Sequence, residues 1–297
     1  MRASQLNVGR LTFNWGSRTY LMGILNLTPD SFSGDGLLVE DQSGTVNSPE
    51  AALEQARRFV AAGVDILDVG GESTRPGAQP VSESEELARV IPVIETLAKE
   101  LDVLVSVDTY KAAVAEAALE AGAQIVNDVW GLHADPRLAE TVARYQAPVI
   151  LMHNRSSWAH AELKELLGGR YVGIPYVNLI EDICHDLLDS VALAQQAGIP
   201  DERIILDPGI GFGKSVEQNL ELVNRLMEIR ALGYPVLSGP SRKSFIGYTL
   251  DLPLDQRLEG TAAAVAVSIV RGADIVRVHD VSFMSRVVRM TDAIVRR

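Results

Sequence analysis

A repeated pattern along the chain constrains the fold more than any other sequence feature. An amphipathic helical segment ends at a glycine, a short bridge follows, and a β-branched apolar run then stops at a polar residue. The pattern is clearest in AAGVDILDVGGES, EAGAQIVNDVWG and RGADIVRVHD. Together with LMGILNLTPDS, LVSVDTYK, YQAPVILMHN, AGIPDERIILDPG and LGYPVLSGPSRK, it predicts eight strands separated by helices.

The strands indicate a closed parallel sheet. Near-continuous apolar runs such as VILM and IVRV indicate burial on both faces, which parallel sheets with helical cover require. We therefore predict an α/β fold, a TIM (β/α)8 barrel, which typically needs about 250 residues. An open doubly wound sheet has the same alternation but usually binds its ligand at one switch point. Because every strand ends in a polar residue, the barrel is favoured.

The segment ahead of the first barrel strand has a different pattern. Alternation in LNVGRLTFNWGSRTY predicts an N-terminal β-hairpin over residues 5–20, with residues 14–17 or 8–10 near its turns. We expect the hairpin to close the floor of the barrel. Residues 1–297 are then one barrel domain.

Composition excludes several classes of function. The formal net charge of -12 argues against nonspecific binding to nucleic acid or to an anionic membrane, since both need a basic face. The start of the chain does not resemble a secretory signal, and no apolar stretch approaches the ~20 residues that span a bilayer, so we expect a cytoplasmic protein. The only cysteine, Cys184, permits no disulfide within the chain. Any anionic substrate must be held by local cations.

The polar strand ends are the candidate functional residues, because the carboxyl ends of barrel strands form the active face. They are Asn26, Glu72, Asp108, Asn127, Asp128, His153, Asn154, Asp207, residues 241–244, Arg277 and His279. Asn, Asp and Lys side chains supply the acceptors, donors and charge that suit a flat heterocycle with amino, amide and carbonyl groups on its edge. Arg277, His279 and Lys243 are cations suited to a diphosphate.

Two glycine-rich segments require comparison with nucleotide-binding motifs. In DPGIGFGKS, Pro208 stands where a P-loop requires glycine, and Lys214 stands where GxGxxG requires its last glycine, so both motifs are rejected. In SGPSRKSFIG, residues 241–244 stand where a helix should begin. Free amides at that helix start would attract a carboxylate or a phosphate.

Taken together, these motifs resemble one enzyme family, the pterin-binding dihydropteroate synthases. The matching segments are MGILNLTPDSFSGDG (22–36), DILDVGGESTRPGA (65–78), VSVDTYK (105–111), IVNDVWG (125–131), VILMHN (149–154), ILDPGIGFGKSVEQNLELV (205–223), LSGPSRKSFIG (237–247) and RVHDV (277–281). They cover nearly the whole barrel in order. The family is a group of transferases that join a dihydropterin methyl diphosphate to 4-aminobenzoate and release diphosphate in tetrahydrofolate biosynthesis.

The resemblance implies three subsites. The pterin site consists of Asp108, Asn127, Met152, Asp207, Gly239, Lys243 and Arg277, with Lys243 reaching the ring carbonyl and Arg277 lying on the pterin face. The 4-aminobenzoate site consists of Thr74, Arg75, Phe212 and Ser244. The diphosphate end consists of Asn26, Arg277 and His279. Asn26 is similar to the family's magnesium contact, so Mg²⁺ is the implied cofactor.

The resemblance also implies a mechanism in which diphosphate leaves before the amine attacks. Magnesium and Arg277 stabilise the leaving group, Asp108 stabilises positive charge spread through the pterin, and Lys243 is the third catalytic residue. No covalent nucleophile is needed, which agrees with the lack of a catalytic cysteine or a GxSxG motif. The implied partners are the two small-molecule substrates and a second copy of the chain, as a homodimer.

Two other functions stay open at this stage. A methyltetrahydrofolate-dependent methyltransferase resembles this fold and pterin pocket, although the TPDSFS, STRPGA and SRKS segments argue against it. A catalytically silent pterin-binding module is the second. The strand-end Asp and Asn residues are alternatively caps of the following loops. For Asp128, His133 and His153, packing or loop hydrogen bonding is the favoured interpretation, and residues 154–176 match no family segment.

Overall fold

Strands and helices alternate along the chain in the computed structural model, which describes residues 4–27, 49–73, 78, 80–157, 160–164, 167–172 and 175–296. The strands are β1 (Gln5–Val8), β2 (Leu11–Asn14), β3 (Tyr20–Asn26), β4 (Ile66–Gly70), β5 (Leu104–Asp108), β6 (Ile125–Asp128), β7 (Val149–Met152), β8 (Ala161–Lys164), β9 (Gly168–Tyr171), β10 (Ile204–Asp207), β11 (Leu237–Ser238) and β12 (Ile275–Val278). The helices are α1 (Pro49–Ala61), α2 (Glu83–Glu100), α3 (Ala112–Glu120), α4 (Arg137–Tyr145), α5 (Leu179–Gln196), α6 (Val216–Asn224), α7 (Leu226–Arg230), α8 (Ser244–Leu250), α9 (Leu258–Val270) and α10 (Val281–Val295).

Eight of the strands form one parallel sheet, in the order β10, β7, β6, β5, β4, β3, β12, β11. Its two end strands meet, because Leu206 of β10 bridges Val236 just before β11 and its amide donates to the Pro235 carbonyl at 2.9 Å. The sheet therefore closes. The predicted (β/α)8 barrel is confirmed.

The N-terminal hairpin fills the floor of this barrel. β1 and β2 pair antiparallel, and the turn at Gly9 and Arg10 is one of the two predicted positions. Phe13 is fully buried and belongs to an apolar cluster with side chains from the barrel interior, namely Tyr20, Met22, Ile66, Leu104, Ile125, Ile150, Ile205, Leu237 and Ile275. The hairpin is shorter than predicted, since it ends at Asn14 and Tyr20 already begins the first barrel strand.

A second apolar layer lies between the sheet and the surrounding helices, where side chains on the outer face of each strand pack against the helices. Among the helices of the described ranges, none combines the length and the apolar character that crossing a bilayer requires.

The connection after β7 contains an element that the sequence did not predict. β8 and β9 pair as a small antiparallel hairpin. Buried Arg257 donates to the Leu167 carbonyl at 3.0 Å, and the Tyr248 hydroxyl donates to the Gly168 carbonyl at 3.2 Å. These bonds fix the hairpin against α8 and the segment that follows it.

Candidate active site

Five of the predicted residues lie at the ends of barrel strands and therefore meet at one mouth of the barrel: Asn26, Asp108, Asn127, Met152 and Asp207. The register places them side by side, because Asp108 is opposite Asn127 and Asp207 is opposite Met152. Asn127, Met152 and Asp207 are buried, whereas Asn26 and Asp108 are half-buried. Parallel strands in a closed sheet thus turn separate sequence positions into one polar surface.

Arg277, on β12, is the centre of the charge network in this mouth. Its Nε donates to Asp68 Oδ2 and its Nη2 donates to Asp108 Oδ2, both at 2.6 Å. The Asn127 amide donates to the same Asp68 oxygen at 3.0 Å. One guanidinium is therefore held between two carboxylates, and one of these carboxylates also positions a predicted pterin contact.

Asp68 was not predicted from the sequence as a site residue. It lies in the middle of β4, is fully buried, and within the described part of the chain its Oδ1 has no hydrogen-bond partner. The available signal was an aspartate inside the otherwise apolar run ILDVG, because a buried carboxylate is costly unless a cation or a donor compensates it. Asp68 lies inside its strand and is therefore not among the polar strand ends.

The titration of this network follows from its burial. Burial raises the pKa of Asp108 to about 7, with the nearby charge of Asp68 adding to the effect and Arg277 opposing it. Burial also disfavours the charged guanidinium of Arg277, but the charges of Asp68 and Asp108 outweigh it and raise the Arg277 pKa. At neutral pH the arginine is charged, while Asp108 is near its titration point.

A second acid and base pair lies beside the first. Burial raises the pKa of Asp207 and lowers that of Lys243 to about 7, while each charge favours the ionised form of the other. Asp207 Oδ1 accepts a hydrogen bond from the Gly209 amide at 2.7 Å. Lys243 Nζ contacts the Ile210 carbonyl and lies 4.2 Å from the centre of the Phe212 ring. Phe212, a predicted 4-aminobenzoate residue, therefore lies directly beside Lys243, a predicted pterin residue.

A glycine is required where Lys243 passes the loop after β10. Gly211 has a φ of +84°, and a Cβ at this position would lie 2.6 Å from Lys243 Cδ. Any side chain would therefore both strain the backbone and displace the lysine. Gly239, also predicted to line the slot, is buried directly after β11.

His279, assigned to the diphosphate end, follows β12. Its Nδ1 is 3.0 Å from Ser241 Oγ, which also accepts the His279 amide at 3.2 Å. Ser241 precedes α8, so the start of this helix and the end of β12 are joined. Ser244 is the first residue of α8, as the sequence predicted.

Thr74 and Arg75, assigned to the 4-aminobenzoate site, lie outside the described residues. The segment leading to them is anchored. Lys111 Nζ binds both Glu72 and Glu86 at 2.5 Å, and the Arg89 guanidinium donates to the Gly71 carbonyl at 2.7 Å. Glu72, a strand-end candidate, is thus paired with a lysine next to the site.

Asp128, His133 and His153, for which packing or loop hydrogen bonding was the favoured interpretation, all make hydrogen bonds within the fold. Asp128 caps its own loop by accepting from the Trp130 and Leu132 amides at 2.8 and 2.6 Å. His133 Nε2 is 3.1 Å from Ser190 Oγ. His153 has a hydrogen-bond partner on each ring nitrogen: Asp186 on Nε2 and Lys214 on Nδ1.

Asn26, the predicted metal contact, offers one half-buried amide oxygen at this mouth. In the described ranges, the cluster of three potential ligands is elsewhere, on α5, and consists of His185, Asp186 and Asp189. A hard cation at Asn26 would therefore need further oxygens from a bound molecule and water.

Comparison with known proteins agrees with this geometry. Residues 22–279 match the family described as pterin binding enzyme. The chain belongs to the pterin-binding enzymes. Dihydropteroate synthase from Clostridium beijerinckii is 50% identical over 293 residues, covering 98% of this chain and 100% of that protein.

Solved structures give the same result for this pterin-binding enzyme. Dihydropteroate synthase from Clostridium difficile, crystallised in the presence of pteroic acid, is 47% identical, with a TM-score of 0.84 over 96% of this chain and 100% of that one. The Yersinia pestis enzyme, in a complex with a sulfonamide drug, is 39% identical, with a TM-score of 0.87 over 98% of each chain. The recognition of the dihydropteroate synthase family from sequence motifs is confirmed.

Proposed function

We propose that this enzyme condenses (7,8-dihydropterin-6-yl)methyl diphosphate with 4-aminobenzoate to give 7,8-dihydropteroate and diphosphate. One observation carries the proposal: Asp108, Asn127, Asp207, Lys243 and Arg277 converge at one mouth of the barrel, with buried acceptors beside cations. A flat heterocycle with donors and acceptors on its edge, attached to an anionic leaving group, matches that arrangement. The Clostridium beijerinckii relative, which is 50% identical to the chain, is named dihydropteroate synthase after this activity.

The pterin lies, in this proposal, on the inner side of the mouth. Asp207 and Asn127, both buried, bind its amino and amide edge, and protonated Lys243 donates to the ring carbonyl. Met152 and Gly239 line the slot. Because Asp207 keeps one oxygen on the Gly209 amide, its other oxygen is available to the ligand.

The reaction begins when the bond between the methylene carbon and the diphosphate oxygen breaks. Arg277 and His279 stabilise the negative charge that moves onto the diphosphate, and ionised Asp108 stabilises the positive charge that spreads through the pterin. The amine nitrogen of 4-aminobenzoate then bonds to the methylene carbon and loses a proton. The residues bind and orient both reactants, so no covalent enzyme intermediate is required.

The 4-aminobenzoate site lies toward α8 in this proposal. The Phe212 ring packs against the aromatic ring, and Ser244 binds the carboxylate at the start of the helix. Thr74 and Arg75 close over this substrate by resemblance to the family. The relative from Clostridium difficile was studied with pteroic acid, a molecule that joins a pterin to 4-aminobenzoate.

We also propose that Mg²⁺ assists the reaction, held by Asn26 and by oxygens of the substrate diphosphate. A bound divalent cation would neutralise charge on the leaving group. The chain itself supplies Arg277 and His279 for the same end of the substrate.

We also propose that the enzyme acts in the cytoplasm. Its half-buried Cys184 thiol is free, and cytosolic thiols are kept reduced.

Two substitutions separate the substrate sites. Asp207→Asn keeps an acceptor for Gly209 but removes the charge, so pterin affinity should fall by ~10-fold or more, because hydrogen bonds to charged groups are stronger than neutral ones. Ser244→Ala should raise the KM for 4-aminobenzoate by about fivefold and spare pterin affinity. Calorimetric titration of the pterin and steady-state kinetics measure the two effects. Unchanged affinity in Asp207→Asn would place the pterin elsewhere.

A further inference from the structure

Lys214 is a fully buried lysine at the end of the loop that follows β10, and the mechanism above does not use it. Its Nζ has three partners at 2.9 Å: the Gly209 carbonyl, the Phe212 carbonyl and His153 Nδ1. Burial lowers the pKa of Lys214 well below its usual value, and the three acceptors offset part of that cost because together they take every hydrogen of the ammonium form. The bonds to the Gly209 and Phe212 carbonyls therefore tie together the two ends of the loop 209–213.

The bond between Lys214 and His153 Nδ1 is oriented by Asp186, on the other side of the imidazole ring. His153 Nε2 lies 3.1 Å from Asp186 Oδ2. The Asp186 carboxylate can only accept a hydrogen bond, so His153 Nε2 donates to it. Nδ1, the ring atom that faces Lys214, then accepts from the lysine. Asp186 also accepts from Arg155 Nε at 2.7 Å.

The loop held in this way has an unusual backbone. Gly209, Gly211 and Gly213 have φ angles of +69°, +84° and +61°. A Cβ at Gly209 would lie 1.8 Å from the His153 carbonyl oxygen, and one at Gly213 would lie 2.4 Å from the Arg155 backbone. The loop therefore surrounds the Lys214 side chain and packs closely against the backbone of residues 153–155, which follow β7.

The same loop presents groups to the site. Ile210 offers its carbonyl to Lys243, and the Phe212 ring lies beneath the Lys243 ammonium. We propose that Lys214, oriented by His153 and Asp186, is a positioning residue that fixes this loop and thereby the 4-aminobenzoate side of the site. The inference rests on the proposed function for its kinetic effect, but its structural effect does not depend on it.

Lys214→Met tests the inference, because methionine keeps most of the volume and removes the three donors. We expect the KM for 4-aminobenzoate to rise by ~10-fold or more, since small displacements of binding groups have large effects. Pterin affinity should fall by less than the 4-aminobenzoate KM rises, because Asp207 lies on β10 and only its bond from the Gly209 amide depends directly on the loop. Amide hydrogen exchange in residues 209–213 should become at least ~10-fold faster. Lys99→Met, an exposed position on α2, is the control and should change none of these.

His153→Gln is the second variant, for use if Lys214→Met does not fold. It removes the Nδ1 acceptor of Lys214. The 4-aminobenzoate KM and the exchange rate of residues 209–213 should then rise in the same direction but by less. Faster exchange in the loop together with a raised 4-aminobenzoate KM supports the inference. Unchanged exchange, or faster exchange with an unchanged KM, overturns it. If the unsubstituted enzyme releases no diphosphate, the proposed function fails, whereas the exchange measurement still decides whether Lys214 fixes the loop.

Discussion

Asp68 and Asp108 bind the same guanidinium from different surroundings. Asp68 is enclosed within β4 and also holds Asn127, whereas Asp108 ends its strand at the mouth. Arg277 therefore keeps one counter-charge when a ligand engages Asp108. In the proposed mechanism, Asp108 can therefore stabilise a cationic pterin without leaving Arg277 uncompensated in a buried site, which would be strongly unfavourable.

Asp68→Asn should change the pH dependence of the enzyme. The charge of Asp68 raises the pKa of Asp108, so its removal should lower that pKa. In the proposed mechanism Asp108 is ionised, and since burial raises its pKa to about 7, activity should fall as the pH drops through that value. We expect the acid limb of kcat/KM to move to lower pH by on the order of one unit, because kcat/KM reports the free enzyme.

The basic limb, which we expect to follow Lys243, should move less than the acid limb. Burial lowers the Lys243 pKa to about 7, and Asp68 would act on it only indirectly, through Asp108 and Arg277. Asp102→Asn, at an exposed position, is the matched control and should leave both limbs in place. An acid limb that stays where it was in Asp68→Asn would contradict the coupling between the two carboxylates.

At the level of secondary structure elements, the N-terminal hairpin completes the core. Phe13 stacks on Trp15 at 4.9 Å and meets Tyr20 at 4.7 Å between ring centres. The barrel has eight strands and side chains must fill its interior, so the hairpin supplies the bottom layer. The polar mouth lies at the other end of the strands, away from this layer.

Phe13→Ala should therefore destabilise the fold without altering substrate recognition directly. Truncating a fully buried phenylalanine costs about 3–5 kcal/mol of unfolding free energy. Thr12→Ala, at the neighbouring exposed position, should change it by less than about 0.5 kcal/mol. Urea denaturation measures both. Similar small effects for the two variants would mean that the hairpin does not close the core.

The elements were predictable from sequence because their signals are local. Apolar runs and glycines predicted the eight strands, and alternation predicted the hairpin. Asp68 and Lys214 were not found, because their roles depend on partners far away in the chain: Arg277 for one and His153 for the other. The sequence motifs placed Lys214 within two rejected nucleotide-binding patterns, and nothing local indicates a loop folded around its side chain.

For the whole molecule, the charge distribution matters. The chain carries a net charge of -12, yet its substrates are anionic. The cations Arg277 and Lys243 at the mouth therefore act against an unfavourable overall field. This contrast predicts that diphosphate recognition depends on a few named side chains rather than on the surface as a whole.

The outer surface carries a group of exposed apolar side chains. The exposed apolar side chains Val267 and Val270 of α9 and Met290 and Ile294 of α10 lie on two helices that pack together. We propose that they contribute to a homodimer interface, since adjoining exposed apolar groups commonly mark such surfaces. Met290→Asp should shift the sedimentation coefficient toward that of a monomer. Leu188→Asp, on α5, should not, and a monomeric unsubstituted enzyme would contradict the proposal.

The central claim is tested most directly by diphosphate release. The purified enzyme is mixed with magnesium and dihydropterin methyl diphosphate, with and without 4-aminobenzoate, and released diphosphate is measured over time. We predict sustained release that depends on the amine, with one dihydropteroate formed for each diphosphate, because the amine captures the electron-poor methylene carbon. No release with both substrates present, or the same rate with and without the amine, would contradict the account.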